Sequence, residues 1–416
     1  MLHAYRDVAP VAALLALLLV AYLHPRGWVE ALAGVAGAAL ALSTGVLGLA
    51  GVRTEVAGLL PVVLFLLAVL VVAEVCRCEG LFSALGARLA LRGDPRRMLT
   101  LAVVVAAVVT VALSLDATVV LFTPVVIAAA AAARTPSRPA ELACVRMANS
   151  ASLLLPVSNL TNLLALPDLH LSFGGFLLRM APTWVVVVGV EYVALRLVCR
   201  RDLANGRRTG PVDGLLPPLP RVPLVAVGLM LAGFAATSAF GIAPVWTAAA
   251  AALALSVHTV ARRRSTAAHL VHSAHVSFGV FVLGLGVVVA VLARTWLGDA
   301  VQALVPSSDG LGGLLAVAVL GAVLANLVNN LPATLLVAPM VAPLGTTAVL
   351  ALLVGINVGS SLTWTGSLAN LLWRRSLARH GGTATGRDFH VLAVVATPLA
   401  IVAGVVVLAA WTGAVG

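Results

Sequence analysis

Lysine is absent: all 26 basic residues of the 416-residue chain are arginine. A Gly-Lys-Ser/Thr phosphate loop and a Schiff-base lysine are therefore both excluded, and the chain is not itself a P-loop ATPase. Charge of either sign is scarce, at 10% of residues, against about a quarter in a soluble domain. Four scattered cysteines are too few for a disulfide framework. No His-Glu-x-x-His or Gly-x-Gly-Asp motif occurs, so no intramembrane hydrolase chemistry is expected. The chain reads as a non-enzyme that needs no cofactor and binds no metal. What it has in quantity is apolar side chains, 61% of the sequence, and this defines a polytopic membrane protein. The net charge of +11 would suggest nucleic acid in a soluble protein. Here it is assigned to arginine-rich cytoplasmic loops, and no nucleic-acid partner is expected. The first apolar run, 9–23, has a short polar start and no small-residue cleavage site, so it is read as a helix that stays.

A bilayer crossing takes about 20 apolar residues. Candidate segments fall at 9–23, 29–50, 57–76, 98–114, 119–133, 141–165 and 178–199, then at 222–240, 243–261, 276–296, 311–328, 333–345, 348–373 and 388–412. An Arg/Gly/Pro-rich linker follows residue 199, and it divides the chain into repeats at 1–199 and 222–416 joined by a cytoplasmic segment, 200–221. Two pairs of runs are short and meet at polar tips, SLDAT (114–118) and NNLP (329–332). Each pair reads as a re-entrant hairpin, which membrane depth tolerates only inside protein or beside water. Five crossings then remain per half, an odd number, so the second half is upside down. With the N-terminus outside, 21 of 26 arginines fall on the cytoplasmic side, three (Arg6, Arg53, Arg294) outside, and Arg146 and Arg179 within segments. That bias supports the orientation.

The halves share a pattern. NSASLLLPVSNLTNLL (149–164) aligns with NVGSSLTWTGSLANLL (357–372) at a constant offset of 208. The informative matches are Asn149/Asn357, Ser152/Ser360 and Asn162/Asn370. Pro156 in one copy and Gly359 and Gly366 in the other interrupt the helix. The expected fold is an all-α polytopic membrane protein of two inverted repeats, each with about five transmembrane helices plus a re-entrant hairpin and a discontinuous helix. This is a transporter plan, with the solute site where the broken helices meet.

The candidate substrate- and ion-binding residues are Ser114, Asp116 and Thr118 at the first tip and Asn329 and Asn330 at the second. The first break adds Asn149, Ser152, Ser158, Asn159 and Thr161; the second adds Asn357, Ser360, Ser361, Thr365 and Ser367. Asp116 is the sole acid of these four segments. An ionised carboxylate at the bilayer centre costs at least about 2.5–3.5 kcal/mol, so proton exchange is its expected role. No arginine lies within the four segments, which disfavours a multivalent anion. Glu74 and Glu191 lie nearer helix ends and read as solvated or interfacial. Cys76 and Cys78 point apart on a helix with no third ligand nearby in sequence, and His269, His272 and His275 read as solvated imidazoles of an interfacial arm. The run 77–93 reads as an amphipathic helix on the cytoplasmic surface.

LVNNLPATLL, VGSSLTWTGSLANLLW and SLDATVVLFTP with LPVSNLTNLL resemble the arsenite/antimonite efflux carriers, the arsenical-pump membrane proteins of the ion transporter superfamily, which are related to citrate/dicarboxylate carriers. The resemblance runs in order along nearly the whole chain. The first tip keeps only the aspartate of the family's frequent Asn-Asp-Gly. The resemblance implies two inverted five-helix repeats, a moving, elevator-like transport domain, and in some members a soluble ATPase partner.

The expected function is secondary active transport in the inner (cytoplasmic) membrane: proton-coupled export of arsenite or antimonite. Arsenous acid is neutral near pH 7, and amides and hydroxyls suit its hydroxyl groups. The alternative is a sodium- or proton-coupled carrier of an organic or inorganic anion, citrate/dicarboxylate-like. The partners are thus a small inorganic or organic solute, H+ or Na+, and the lipid bilayer; a dimer is compatible with this plan.

Overall fold

A computed structural model of the chain describes residues 2–23, 27–91, 94–205 and 216–415. Arg92 and the linker residues 206–215 lie outside the described residues. The first half contains α1 (Leu2–Leu23), α2 (Gly27–Leu42), α3 (Leu49–Cys78), α4 (Leu81–Ala90), α5 (Pro95–Ala112), α6 (Thr123–Ala132), α7 (Arg138–Ser150), α8 (Leu160–Leu169), α9 (Phe173–Val198) and α10 (Arg200–Asn205). The second contains α11 (Arg221–Ser238), α12 (Pro244–Ala261), α13 (Ala267–Ser273), α14 (Val276–Leu292), α15 (Trp296–Gln302), α16 (Leu311–Val328), α17 (Asn330–Val341), α18 (Thr346–Gly359), α19 (Leu368–His380) and α20 (Gly386–Val415). No strand occurs among the described residues. Nine stretches within them are long and apolar enough to cross a bilayer.

The helices sort by what they pack against. α2 lies along α14, and α3 along α12. The α2–α14 contact is backbone-close: a Cβ on Gly284 would strike the Gly34 carbonyl, so only glycine fits there. A second group joins α5 to α7, α16 to α18 and α9 to α20. Gly355 allows the same close approach of α18 to the Ala318 carbonyl of α16.

Both polar tips are turns between helical arms. α5 ends at Ala112, and the chain re-enters a π-helical stretch, Ala117–Phe122, that runs into α6. α16 ends at Val328, and the φ of +74° at Asn329 reverses the chain before α17; asparagine tolerates positive φ better than most residues. Each hairpin's second arm packs on the broken helix of the other half: α17 on α8, and the 117–132 arm on α19.

The interrupted segments are broken as expected. α7 gives way to 3₁₀ turns at Ala151–Leu153 and Pro156–Ser158 before α8. α18 gives way to one at Ser360–Leu362 before α19. The restarts are capped alike: Asn159 Oδ1 accepts from Thr161 N–H, and Ser367 Oγ from Ala369 N–H. An N-cap of this kind satisfies a donor that the helix itself cannot.

One expectation changes and two become specific. Within the 77–93 run, α4 buries one face, Leu81, Phe82, Ala84 and Leu89, against α6 and leaves Ser83 exposed. Glu191 is not interfacial but fully buried. The histidine arm is the short helix α13, and His269 bonds Glu74 at 2.6 Å.

Candidate functional site

The two tips and the two restarts converge. Ser114 and Asp116 from the first tip, Asn330 from the second, Ser158 and Asn159 from the first break and Ser367 from the second line one small cavity of about 40 Å³. Its opposite wall is apolar: Phe65, Leu66 and Val69 of α3 and Phe278 of α14. The polar residues come from the α5–α9/α16–α20 group and the apolar wall from the other.

The polar groups in the cavity are not equally free. Ser158 Oγ donates to the Val111 carbonyl (3.0 Å), and Asn159 and Ser367 spend an oxygen on their caps. Ser114 Oγ accepts from Ala117 N–H at 3.3 Å. No hydrogen bond or ion pair reaches the Asp116 carboxylate or the Asn330 side-chain amide among the described residues. Only the Asn330 backbone is tied, its N–H donating to the Gly366 carbonyl at 3.0 Å. Unspent hydrogen-bonding capacity facing a cavity is what a polar solute needs.

Asp116 also borders a vestibule of about 310 Å³. Glu30, Glu74, His275, Arg375, Arg379 and His380 stand around it. The second tip borders a smaller cavity, of about 30 Å³, through Asn329 and Leu331, and that cavity too is lined by Glu30. In this conformation both tips thus face space bordered by one glutamate.

The remaining candidates are buried or spent elsewhere. Thr118 shares a 2.7 Å hydrogen bond with Thr110 inside the first hairpin. Asn329 caps α17 and donates to the Thr365 carbonyl at 3.0 Å; Thr365 is exposed. Asn149, Ser152, Thr161, Asn357 and Ser360 form a network between the broken helices. Asn149 Nδ2 donates to Asn370 Oδ1 at 2.8 Å, and Asn357 Nδ2 donates to Asn162 Oδ1 at 2.8 Å. Asn162 Nδ2 donates to the Ser152 and Leu155 carbonyls; Asn370 Nδ2 donates to those of Ser360 and Thr363. Every one of these bonds has its counterpart at an offset of 208. Ser152 and Ser360 donate to the Asn149 and Asn357 carbonyls, again as a matched pair. Asn357 Oδ1 also accepts from Asn159 and Thr161. These amides hold unwound backbone open by replacing its lost helix bonds.

Sequence reasoning missed Arg146 and Glu191. Their side chains are 1% and 0% exposed and pair face to face, with Nε donating to Oε2 at 2.7 Å. Arg146 also donates to Thr397 Oγ1 and to the Ser361 carbonyl, at 2.9 and 3.5 Å. The absence of arginine from the polar segments therefore holds in sequence and fails in space, because Arg146 reaches the second break. Ser361 Oγ, buried beside it, has no partner among the described residues. The offset of 208 places Val354 opposite Arg146, so the ion pair has no counterpart in the matched sequence pattern. The available signal was that an intramembrane charge implies a partner. Asn162, Asn370 and Asn326 were likewise passed over as site residues. Asn326 Oδ1 accepts from Thr363 N–H and Oγ1 at 2.9 and 2.8 Å, anchoring the second break to the second hairpin.

A helical membrane protein with two polar helix-joining tips and two capped helix breaks around one cavity is a transporter type of molecule. The chain belongs to the citrate transporter family (CitMHS), whose model matches residues 8–352. It is similar to an Escherichia coli arsenical pump membrane protein, 28% identical over 406 aligned residues, covering 91% of this chain and 93% of that one. A shorter stretch is similar to the silicon efflux transporter LSI3 of Oryza sativa subsp. japonica, 31% identical over 148 residues, covering 35% of this chain and 30% of that one. The fold is like that of the Alcanivorax borkumensis YdaH transporter, with a TM-score of 0.59, 16% identity, and 88% and 90% of the two chains covered. The protein is a membrane transporter of the citrate transporter family.

Proposed function

We propose that the protein exports arsenite or antimonite in exchange for protons, with the solute held in the cavity between the two tips and the two restarts. The observation that carries this reading is the pairing of one unpartnered acid with one unpartnered amide there: Asp116 and Asn330. A neutral trihydroxy solute is matched by amide and hydroxyl groups without a fixed countercharge. A single aspartate disfavours a polycarboxylate and exchanges one proton. Relatives named for arsenical pumping and silicon efflux support a small inorganic solute.

The same reading takes 1–199 and 222–416 as inverted repeats, with the N-terminus outside, the 200–221 linker cytoplasmic, and both hairpins re-entrant in an inner membrane. The crossed packing of each hairpin on the other half's broken helix supports it, as do the offset-matched amide bonds.

One observation favours a second reading. The vestibule before Asp116 carries Arg375, Arg379, His275 and His380, and a basic mouth suits an anion. An anion carrier fits the family model's name. The two readings separate in inverted vesicles expressing the wild type. Labelled arsenite accumulates on the export reading, and a tenfold excess of citrate does not compete. Citrate accumulation with no arsenite uptake overturns export and establishes the anion carrier.

A further inference from the structure

Two motifs that stand apart in the sequence meet at the edge of the vestibule. Glu74 and Cys78 are four residues apart, on one face of the last turns of α3. His269 comes from α13, whose start is fixed by Thr266 Oγ1 accepting from His269 N–H at 3.2 Å. His269 Nε2 stands 2.6 Å from Glu74 Oε1, and Cys78 Sγ stands 3.6 Å from the same oxygen. One ligand atom from each of the three residues lies within 4.8 Å of the other two. We propose that Glu74, Cys78 and His269 bind one soft divalent cation of the zinc class.

The donor set selects the ion. One thiolate, one imidazole and one carboxylate form a borderline-soft set, which suits zinc or cobalt and not magnesium or calcium. Four-coordinate zinc holds such donors at about 2.0–2.3 Å, which spaces them roughly 3.3–3.8 Å apart around a tetrahedron. The Cys78–Glu74 separation already falls in that range. The Glu74–His269 pair has only to open by about 1 Å, and His269 is exposed and at the end of a short arm. Three protein donors leave a fourth position for water, the arrangement of an open rather than a closed zinc site.

Charge balances on binding. The Cys78 thiol gives up its proton to solvent, His269 binds through the Nε2 lone pair with its proton on Nδ1, and Glu74 is ionised. Two anionic ligands then match the two charges of the ion. Arg77 pairs with Glu74 in the metal-free protein and must swing aside. Its side chain is half-exposed, but it grips the largely buried Glu74 carboxylate with two donors, Nε to Oε2 at 2.8 Å and Nη2 to Oε1, so the ion must replace a two-pronged pair. A bound ion would tie α13 to α3, the helix that supplies Phe65, Leu66 and Val69 to the wall of the solute cavity. Just beyond α13, His275 borders the vestibule and Phe278 the cavity.

The test uses the full chain purified in detergent through an affinity tag without histidine, stripped with chelator and titrated with Co2+. The wild type is expected to take up one Co2+ with a thiolate-to-cobalt charge-transfer band in the near ultraviolet, discharged by Zn2+. Cys78→Ser should abolish the band. His269→Ala should weaken binding by about tenfold or more, and Cys76→Ser, buried outside the trio, should leave it intact. Zn2+ should raise the thermal midpoint of the wild type and not that of Cys78→Ser. A wild type without the band, a band that survives in Cys78→Ser, or equal affinity in His269→Ala overturns the site.

Discussion

Asparagine at position 330 and aspartate at 116 are the two polar cavity side chains that reach no partner among the described residues. A neutral hydrogen bond nets about 0.5–1.5 kcal/mol, and each 1.4 kcal/mol is about tenfold in affinity. Asn330→Ala is therefore expected to raise the half-saturating arsenite concentration about tenfold in inverted vesicles at unchanged expression. Ser158→Ala should shift it less, since that hydroxyl is spent on the Val111 carbonyl. Equal effects of the two would remove the distinction between free and spent groups. Arg146 predicts a loss of a different kind. Breaking one side of a buried ion pair costs about 3–5 kcal/mol, because the stranded charge stays buried. Glu191→Ala should lower the thermal midpoint of the purified protein markedly, whereas Glu191→Ala combined with Arg146→Met should recover part of the loss. A double variant no better than the single one would contradict the pairing.

Broken helices are where sequence legibility was greatest and where it stopped. Pro156, Gly359 and Gly366 announced the interruptions, because proline removes a donor and glycine tolerates unwinding. Asn159 and Ser367 stood just before apolar runs, the position of an N-cap, and both are caps. The sequence could not say which polar residues face the cavity and which face each other. Asn149 and Asn330 are alike in type and setting, yet one reaches Asn370 on a distant helix and the other reaches no side chain among the described residues. That assignment depends on how α7, α18 and α19 pack, which spacing along one helix does not encode. The same reason hid Arg146 from Glu191, which lies 45 residues away on another helix. The matched amide pairs give a prediction at this scale. A double-mutant cycle between Asn149 and Asn370, each replaced by alanine, should show coupling of about 0.6–1.7 kcal/mol in thermal or denaturant stability, the range found between membrane helices. Coupling indistinguishable from zero would reduce the clasp to coincident neighbours.

Across the whole molecule, three crossings between the linker and the connection before α16 would put those two segments on opposite faces of the membrane. Leu216 is exposed in the linker and Asp309 in the connection before α16. In a background free of the four native cysteines, an impermeant thiol reagent should reach Leu216→Cys only from the cytoplasm and Asp309→Cys only from outside. Labelling of both from one face would contradict an odd number of crossings between them. The vestibule side chain Val120 is exposed beside Asp116. Val120→Cys in the same background should label from the cytoplasm in this conformation and lose that access when the carrier turns outward. The central claim is that this arrangement exchanges a proton through Asp116 for a small inorganic solute. The most direct measurement is arsenite transport in proteoliposomes with and without an imposed pH gradient, for the wild type and Asp116→Asn at matched reconstitution. Wild-type flux should rise with the gradient, and the variant, still folded, should show no dependence on it. A gradient response in Asp116→Asn equal to that of the wild type would contradict the account.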